Sequence, residues 1–229
     1  MTPQTDIPPV RRFVVAPDLF STNPQDSAAR AFSKYVASSC PDAVVVVVST
    51  GTEPVAAATA IEQLRADYGG PVTLLYGGMM QSRLHRHGGW PSLRDVATTG
   101  GPYPITDGWR VVALNPKGNC RYAGAQAIRL ARVLRSNVIC AGGSSTSVLS
   151  VTVKWDGCET PIWAVELGRV PAGRTVSAME LPSFVILEVG RQPAQPQLVS
   201  FRADGSFTVD GVEYADGSTT APSSMRTAA

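Results

Sequence analysis

Four groups of residues in this chain have types and spacings that could do chemistry. The first is a serine, Ser144, in the run Val138-Ile139-Cys140-Ala141-Gly142-Gly143-Ser144-Ser145-Thr146. Apolar residues up to Ala141 predict a strand and the paired glycines a tight turn. Ser144 to Val153 is expected to open a short helix. A serine on such a strand-to-helix turn presents its hydroxyl above the sheet, and the amide of Ser145 would face a developing oxyanion. That makes Ser144 the candidate nucleophile, provided a base stands near it. The plainer alternative is that Gly142, Gly143, Ser144 and Ser145 form only a helix N-cap turn.

The second group is Ser49-Thr50-Gly51-Thr52-Glu53. Hydroxyls, free amides and a helix dipole at the end of a buried strand favour a phosphate. Simple capping is the competing reading. The third is Lys117 in Asn115-Pro116-Lys117-Gly118-Asn119, a cation at a strand end suited to a phosphate or carboxylate, or else part of a surface turn. The fourth is His85-Arg86-His87. Its two imidazoles could face one side of an extended segment, but no nearby Cys, Asp or Glu completes a metal site. Four cysteines (Cys40, Cys120, Cys140, Cys158) form no CxxC pair, so no zinc site is expected. Neither a Walker A sequence nor G-x-G-x-x-G occurs. No metal and no cofactor are expected.

The elements that must position these residues alternate in period. Strands are expected at 12–16, 43–48, 72–76, 109–114, 137–141, 162–167 and 184–189, and helices at 26–37, 53–68 and 122–135. Ala43 to Val48 is an alanine followed by five valines, a pattern for a strand covered on both faces. Residues 77–108 form a long glycine-rich excursion. Two short strands, 198–201 and 206–209, are expected to close a hairpin over Ala203-Asp204-Gly205. The alternation predicts an α/β fold: a three-layer sandwich with a mostly parallel central sheet, plus a C-terminal β-hairpin. Ligands bind such sheets outside the carboxyl ends of the strands. That rule selects four loops, 49–53, Gly77-Gly78, 115–119 and 142–146, and among them Ser49, Thr50, Gly51, Thr52, Lys117, Gly142, Gly143 and Ser145 as candidate ligand-binding residues.

Several of these segments resemble known families. The Gly142–Thr146 turn resembles the nucleophile elbow of α/β-hydrolases, with Thr146 where the motif has its last glycine. The strand at 108–114 resembles the one that precedes the elbow helix in that fold, 161–168 falls where its next strand should, and 181–190 resembles the following one. Cys40-Pro41-Asp42, the valine strand and Gly51-Thr52-Glu53-Pro54 are similar to the start of cutinase-like domains. The resemblance covers residues 38–190, and it implies Ser144 as nucleophile, with amides of the 49–53 loop and of Ser145 at the oxyanion. The chain departs from the pattern downstream: Gly190-Arg191-Gln192 stands where the acid belongs, and no histidine follows His87. The resemblance therefore implies a hydrolase-like domain lacking an intact triad. The 49–53 loop also resembles a flavodoxin phosphate loop one residue short, with Trp90 or Tyr103 as stacking aromatics. This gives a phosphate- or nucleotide-binding domain as the alternative. A third reading is a non-catalytic interaction or assembly protein.

Composition sets the frame. With 229 residues, 44% of them hydrophobic, the chain can bury a full core without disulfide or metal support. A formal charge of +2, with scattered Arg, gives no electrostatic case for nucleic acid. Met1 to Pro9 lacks the apolar core of a secretory signal, and the longest apolar run is too short to cross a bilayer. A soluble, cytoplasmic protein is expected. Its organisation is expected to be a flexible 1–10, one α/β domain over 11–214 and a disordered tail over 215–229. An unidentified small molecule, a protein partner or a second copy of the chain are the partners compatible with this reading, and nucleic acid and membrane are not.

Overall fold

A computed structural model describes residues 9–17, 27–48, 54–76, 97–98, 101–106, 108–114, 123–143, 146–168, 182–190, 194–217 and 219–220. The valine strand explains the architecture. In β2 (Ala43–Val48), Val44, Val46 and Val48 pack towards helices, while Val45 and Val47 pack towards a second sheet. Strand geometry turns alternate side chains to opposite faces, so a run of valines is needed when both faces are covered.

β1 (Arg11–Pro17), β2, β3 (Val72–Tyr76) and β4 (Ala97–Thr98) form the parallel part of a six-stranded sheet. β10 (Ser183–Val189) and β11 (Pro196–Ser200) continue it antiparallel beside β1. Helices α1 (Ser27–Ser39) and α2 (Pro54–Tyr68) cover its outer face through Phe32, Tyr35, Ile61 and Leu64. A second, five-stranded sheet has the order β5 (Tyr103–Thr106), β6 (Trp109–Ala113), β7 (Asn137–Gly143), β9 (Cys158–Gly168), β8 (Ser147–Trp155). Its β6, β7 and β9 are parallel, and α3 (Ala125–Leu134) covers its outer face through Ala127 and Ala131. The two sheets meet in a core of Phe13, Val15, Val45, Val47 and Leu75 against Trp109, Val111, Ile139, Ala141, Val165 and Leu167.

The α/β class and the C-terminal hairpin stand, but the central sheet is divided. Its strands form two sheets stacked face to face, with helices outside, giving four layers. A strand buried on both faces reads the same whether a helix or a sheet covers it, so the sequence pattern does not separate the two cases.

The hairpin forms one strand later than expected. β11 pairs with β10, while β12 (Phe207–Val209) pairs with β13 (Val212–Tyr214) across Asp210-Gly211. Both turn residues have positive φ, 51° and 79°, as a two-residue type I′ turn requires. Ala203-Asp204-Gly205 instead turns the chain from the first sheet towards α1: Arg202 N–H donates to the Ser206 carbonyl at 2.7 Å, and Ser27 Oγ donates to the Asp204 carbonyl at 2.8 Å.

Order also runs into the segment expected as a disordered tail. Asp216 pairs with Arg30, which holds its carboxyl below the usual range. Lys34 donates to the Ala215 carbonyl, and β14 (Thr219–Thr220) pairs with β13. The small β12–β14 sheet closes over α1 through a cluster of rings, Tyr35, Phe184, Phe201, Phe207 and Tyr214, with centroids 5.0–5.9 Å apart.

The segment expected as a helix from Ser144 is β8. Its β-branched residues Val148, Val151, Thr152 and Val153 favour a strand. A second two-residue turn, Asp156-Gly157 with φ 49° and 85°, returns it along β9. Among the described residues, no helix is long and apolar enough to cross a membrane.

Candidate functional site

One hydrogen-bonded junction fixes how the two sheets share an edge. β10 runs antiparallel to β1 with Val15 opposite Val185, so Ser183 stands level with the carboxyl end of β1. Ser183 is fully buried, and its hydroxyl lies 3.2 Å from Thr146 Oγ1. Thr146 follows β7, and the same Oγ1 accepts from the Gly168 amide at 2.9 Å, at the carboxyl end of β9. One threonine hydroxyl thus ties the start of β10, beside the carboxyl end of β1, to the carboxyl end of β9. The parallel strands of both sheets therefore finish at a common edge.

The strands ahead of the candidate ligand loops are neighbours. β2, which precedes Ser49, Thr50, Gly51 and Thr52, packs against both β6 and β7. β6 precedes Lys117, and β7 carries Gly142 and Gly143 and precedes Ser144 and Ser145. Gly143 pairs with Gly168 after an irregularity in the β7–β9 register, and the Leu114 amide donates to the Ala141 carbonyl at 2.8 Å. Ser49, Thr50, Gly51, Thr52, Lys117, Ser144 and Ser145 lie outside the described residues, as do His85 and His87. The strands that end in or precede the candidate ligand positions are brought together.

β8 changes what Ser144 can be. A nucleophile elbow is a strand–turn–helix, in which the helix N-terminus follows the serine. Here the chain passes from β7 to another strand, β8, so the helix expected after Ser144 does not follow it.

On the outer face of the second sheet, three polar residues stand in one row. Glu166 on β9 is opposite Cys140 on β7 and Ser147 on β8. Glu166 is 2% exposed. Burial pushes the Cys140 thiol up, and the nearby Glu166 charge adds to that, so Cys140 is an inert thiol rather than a nucleophile. The α3 N-terminus lies beside this row. Gly124, its N-cap, has φ 80°, and a Cβ there would fall 2.7 Å from Ser147 Oγ and 2.5 Å from Leu149 Cδ1. Only glycine meets both the left-handed backbone and the close approach.

Sequence reasoning missed Ser183 and Glu166. Glu166 had a signal, a single carboxylate inside the apolar run 162–167. Ser183 had none, because its partner is set by the packing of two sheets.

The α1 end of the edge is already covered. The 203–205 turn sits on the α1 N-terminus, where a Cβ on Gly205 would fall 2.6 Å from the Ala28 amide nitrogen. Among the described residues, no cluster of three His, Cys, Asp or Glu could hold a metal ion. The exposed thiols Cys40 and Cys158 lie elsewhere.

No protein family matches the chain, and no curated protein matches it either. Among solved structures, Vps29 of Chaetomium thermophilum is similar in fold. Its TM-score is 0.51 at 14% identity, over 90% of this chain and 98% of that one. At this identity the likeness concerns the fold alone.

Proposed function

We propose that this chain is a ligand-binding α/β sandwich that takes a small anion, phosphate- or carboxylate-bearing, at the carboxyl edge shared by its two sheets. The reading keeps a hydrolase-like use of strand ends but leaves out serine chemistry. One observation supports it above the others: β2, β6 and β7, the strands ahead of the three hydroxyl-, glycine- and lysine-bearing loops, pack on one another. Strand ends in contact give their following loops a common origin, as open α/β sheets do where they bind ligands. Ser49, Thr50 and Thr52 would supply hydroxyl and amide donors, Gly142 and Gly143 close backbone approach, and Lys117 the countercharge.

Hydrolysis by Ser144 has less support. The expected helix is the strand β8, and no histidine in the sequence follows His87. Without a base, a serine hydroxyl is a weak nucleophile.

The test is a thermal melt of the full chain with inorganic phosphate. At a hundredfold excess over Kd, bound ligand adds about 2.7 kcal/mol, roughly 5–10 °C for a chain of this size. Stabilisation in the wild type that is lost in Lys117→Ala is expected. Equal melting of both proteins with and without phosphate contradicts the reading. Fluorophosphonate labelling that disappears in Ser144→Ala would overturn it in favour of a serine hydrolase.

A further inference from the structure

The open edges of the two large sheets differ in one respect. Edge strands invite pairing with another chain, and proteins blunt them with short length, proline, charge or bulges. Among the described residues, three edges are blunted in this way. β4 has two residues, β5 has four with Pro104 and a register shift, and β11 has five beginning at Pro196. β8 is different. It has nine residues in unbroken register with β9, contains no proline, and carries one charge, Lys154. Its other side has no strand partner among the described residues.

The turn geometry fixes which backbone groups face outwards. In a two-residue type I′ hairpin the flanking pair, Trp155 and Cys158, exchanges both hydrogen bonds. Alternation then turns the N–H and C=O groups of Val153, Val151, Leu149 and Ser147 towards β9. Those of Lys154, Thr152, Ser150 and Val148 face away from it.

We infer that β8 pairs antiparallel with β8 of a second copy, about a twofold axis at Val151, joining two five-stranded sheets into one. The strand is complementary to itself in this register. Outward-facing residues meet outward-facing residues: Ser150 pairs with Thr152 and Val148 with Lys154. On the α3 side, Leu149 meets Val153 and Val151 meets its own copy. Val153 is buried there, and Leu149 and Val151 are half-buried, so the pairing extends an existing apolar surface. On the other face, Ser150 and Thr152 are exposed, and hydroxyl pairs of this kind are favourable across strands. The two Lys154 side chains sit at opposite ends, so no like charges face each other. Isologous pairing of this kind closes at two copies.

Sedimentation equilibrium of the full chain tests this. The expected mass is twice the 24.1 kDa of one chain. Thr152→Pro removes an outward N–H without touching the β9 ladder, a position where an edge strand tolerates proline. It is expected to give a folded monomer that still melts cooperatively, at a temperature that no longer depends on protein concentration. A wild type that stays monomeric at its highest soluble concentration overturns the inference, and so does a folded Thr152→Pro that remains dimeric.

If Thr152→Pro fails to fold, Val151→Cys decides, in a background with Cys40, Cys120 and Cys158 replaced by Ser. A non-hydrogen-bonded pair at the twofold places its Cα atoms about 4.5 Å apart, within disulfide reach. Mild oxidation is then expected to give a covalent dimer. Absence of that cross-link overturns the pairing. Pairing of β8 with a strand of a different protein would appear as a monomeric wild type and would likewise overturn it.

Discussion

The two ends of the parallel strands are built differently. At the amino edge, the starts of β1, β2, β6 and β7 are tied to their neighbours. Arg12 and Asp42 exchange backbone and side-chain hydrogen bonds at 2.6–2.7 Å, and Arg12 also reaches Glu188 through Nε at 2.9 Å. Tyr68 donates to the Pro41 carbonyl. Ser136 and the Asn137 amide both donate to the Gly108 carbonyl at 2.8 Å, while Asn137 Oδ1 accepts from the Trp163 amide at 2.8 Å. At the carboxyl edge, the described cross-sheet tie is the Thr146–Ser183 junction. The rest of that edge leads into the loops that carry Ser49, Lys117 and Ser144. Strand starts fixed within each sheet by specific hydrogen bonds can leave the carboxyl ends to loops that contact a ligand. On this account the amino edge serves stability and the carboxyl edge serves binding.

The comparison can be broken or sharpened by substitutions and by pH. The largest effect is expected from alkali, through Tyr35 on α1, near Arg12. Burial pushes its phenol up to about 12, from 10 in the unfolded chain. Because the folded pKa is the higher, the stabilisation is full below pH 10 and is lost as pH rises through 10–12. The loss is about 2–3 kcal/mol. Denaturant melts across that range should show this slope in the wild type and not in Tyr35→Phe, with phosphate binding near pH 7 unaltered.

Next is Thr146→Val. It leaves the Gly168 amide and the buried Ser183 hydroxyl without their shared partner, at a cost of about 2 kcal/mol by urea titration. This is the one carboxyl-edge change expected to act on stability.

Lys117→Ala should weaken phosphate binding by roughly 10-fold to 100-fold in calorimetry, as expected for a hydrogen bond to a charged group. Its melting temperature without ligand should match the wild type. A melting loss with unchanged affinity would move Lys117 to the structural side of the comparison.

The smallest effect is Glu188→Gln. Its pair with Arg12 is half exposed, so about 0.5 kcal/mol is expected, with ligand affinity unchanged.

Much of this layout was legible in the sequence. β2 and β3 fall on the expected residues because a valine run and Val72 to Tyr76 have one low-energy use, a strand covered on both faces. α1, α2 and α3 follow from their apolar stripes, with ends shifted by at most three residues. The segment after Ser144 misled because Gly-Gly-Ser-Ser suits a helix N-cap. The competing signals were the β-branched residues of 148–153 and the Asp156-Gly157 turn, and tertiary pairing with β9 decided.

The C-terminal hairpin shows the same rivalry. Asp204-Gly205 and Asp210-Gly211 are both turn dipeptides, and only the second separates strands by two residues. For the candidate site, the carboxyl-end rule selected loops after β2, β6 and β7, and those three strands pack on one another. It could not find Ser183, whose place beside Thr146 depends on which sheet lies over which.

The most direct test of binding at the carboxyl edge is an amide NMR titration of the full chain with inorganic phosphate. The account predicts saturable shifts at Leu114, Gly143 and Thr146, with Asp42, Asn137 and Trp163 at the opposite edge unmoved. Shifts confined to Asp42, Asn137 and Trp163, or no saturable shift anywhere, would contradict it.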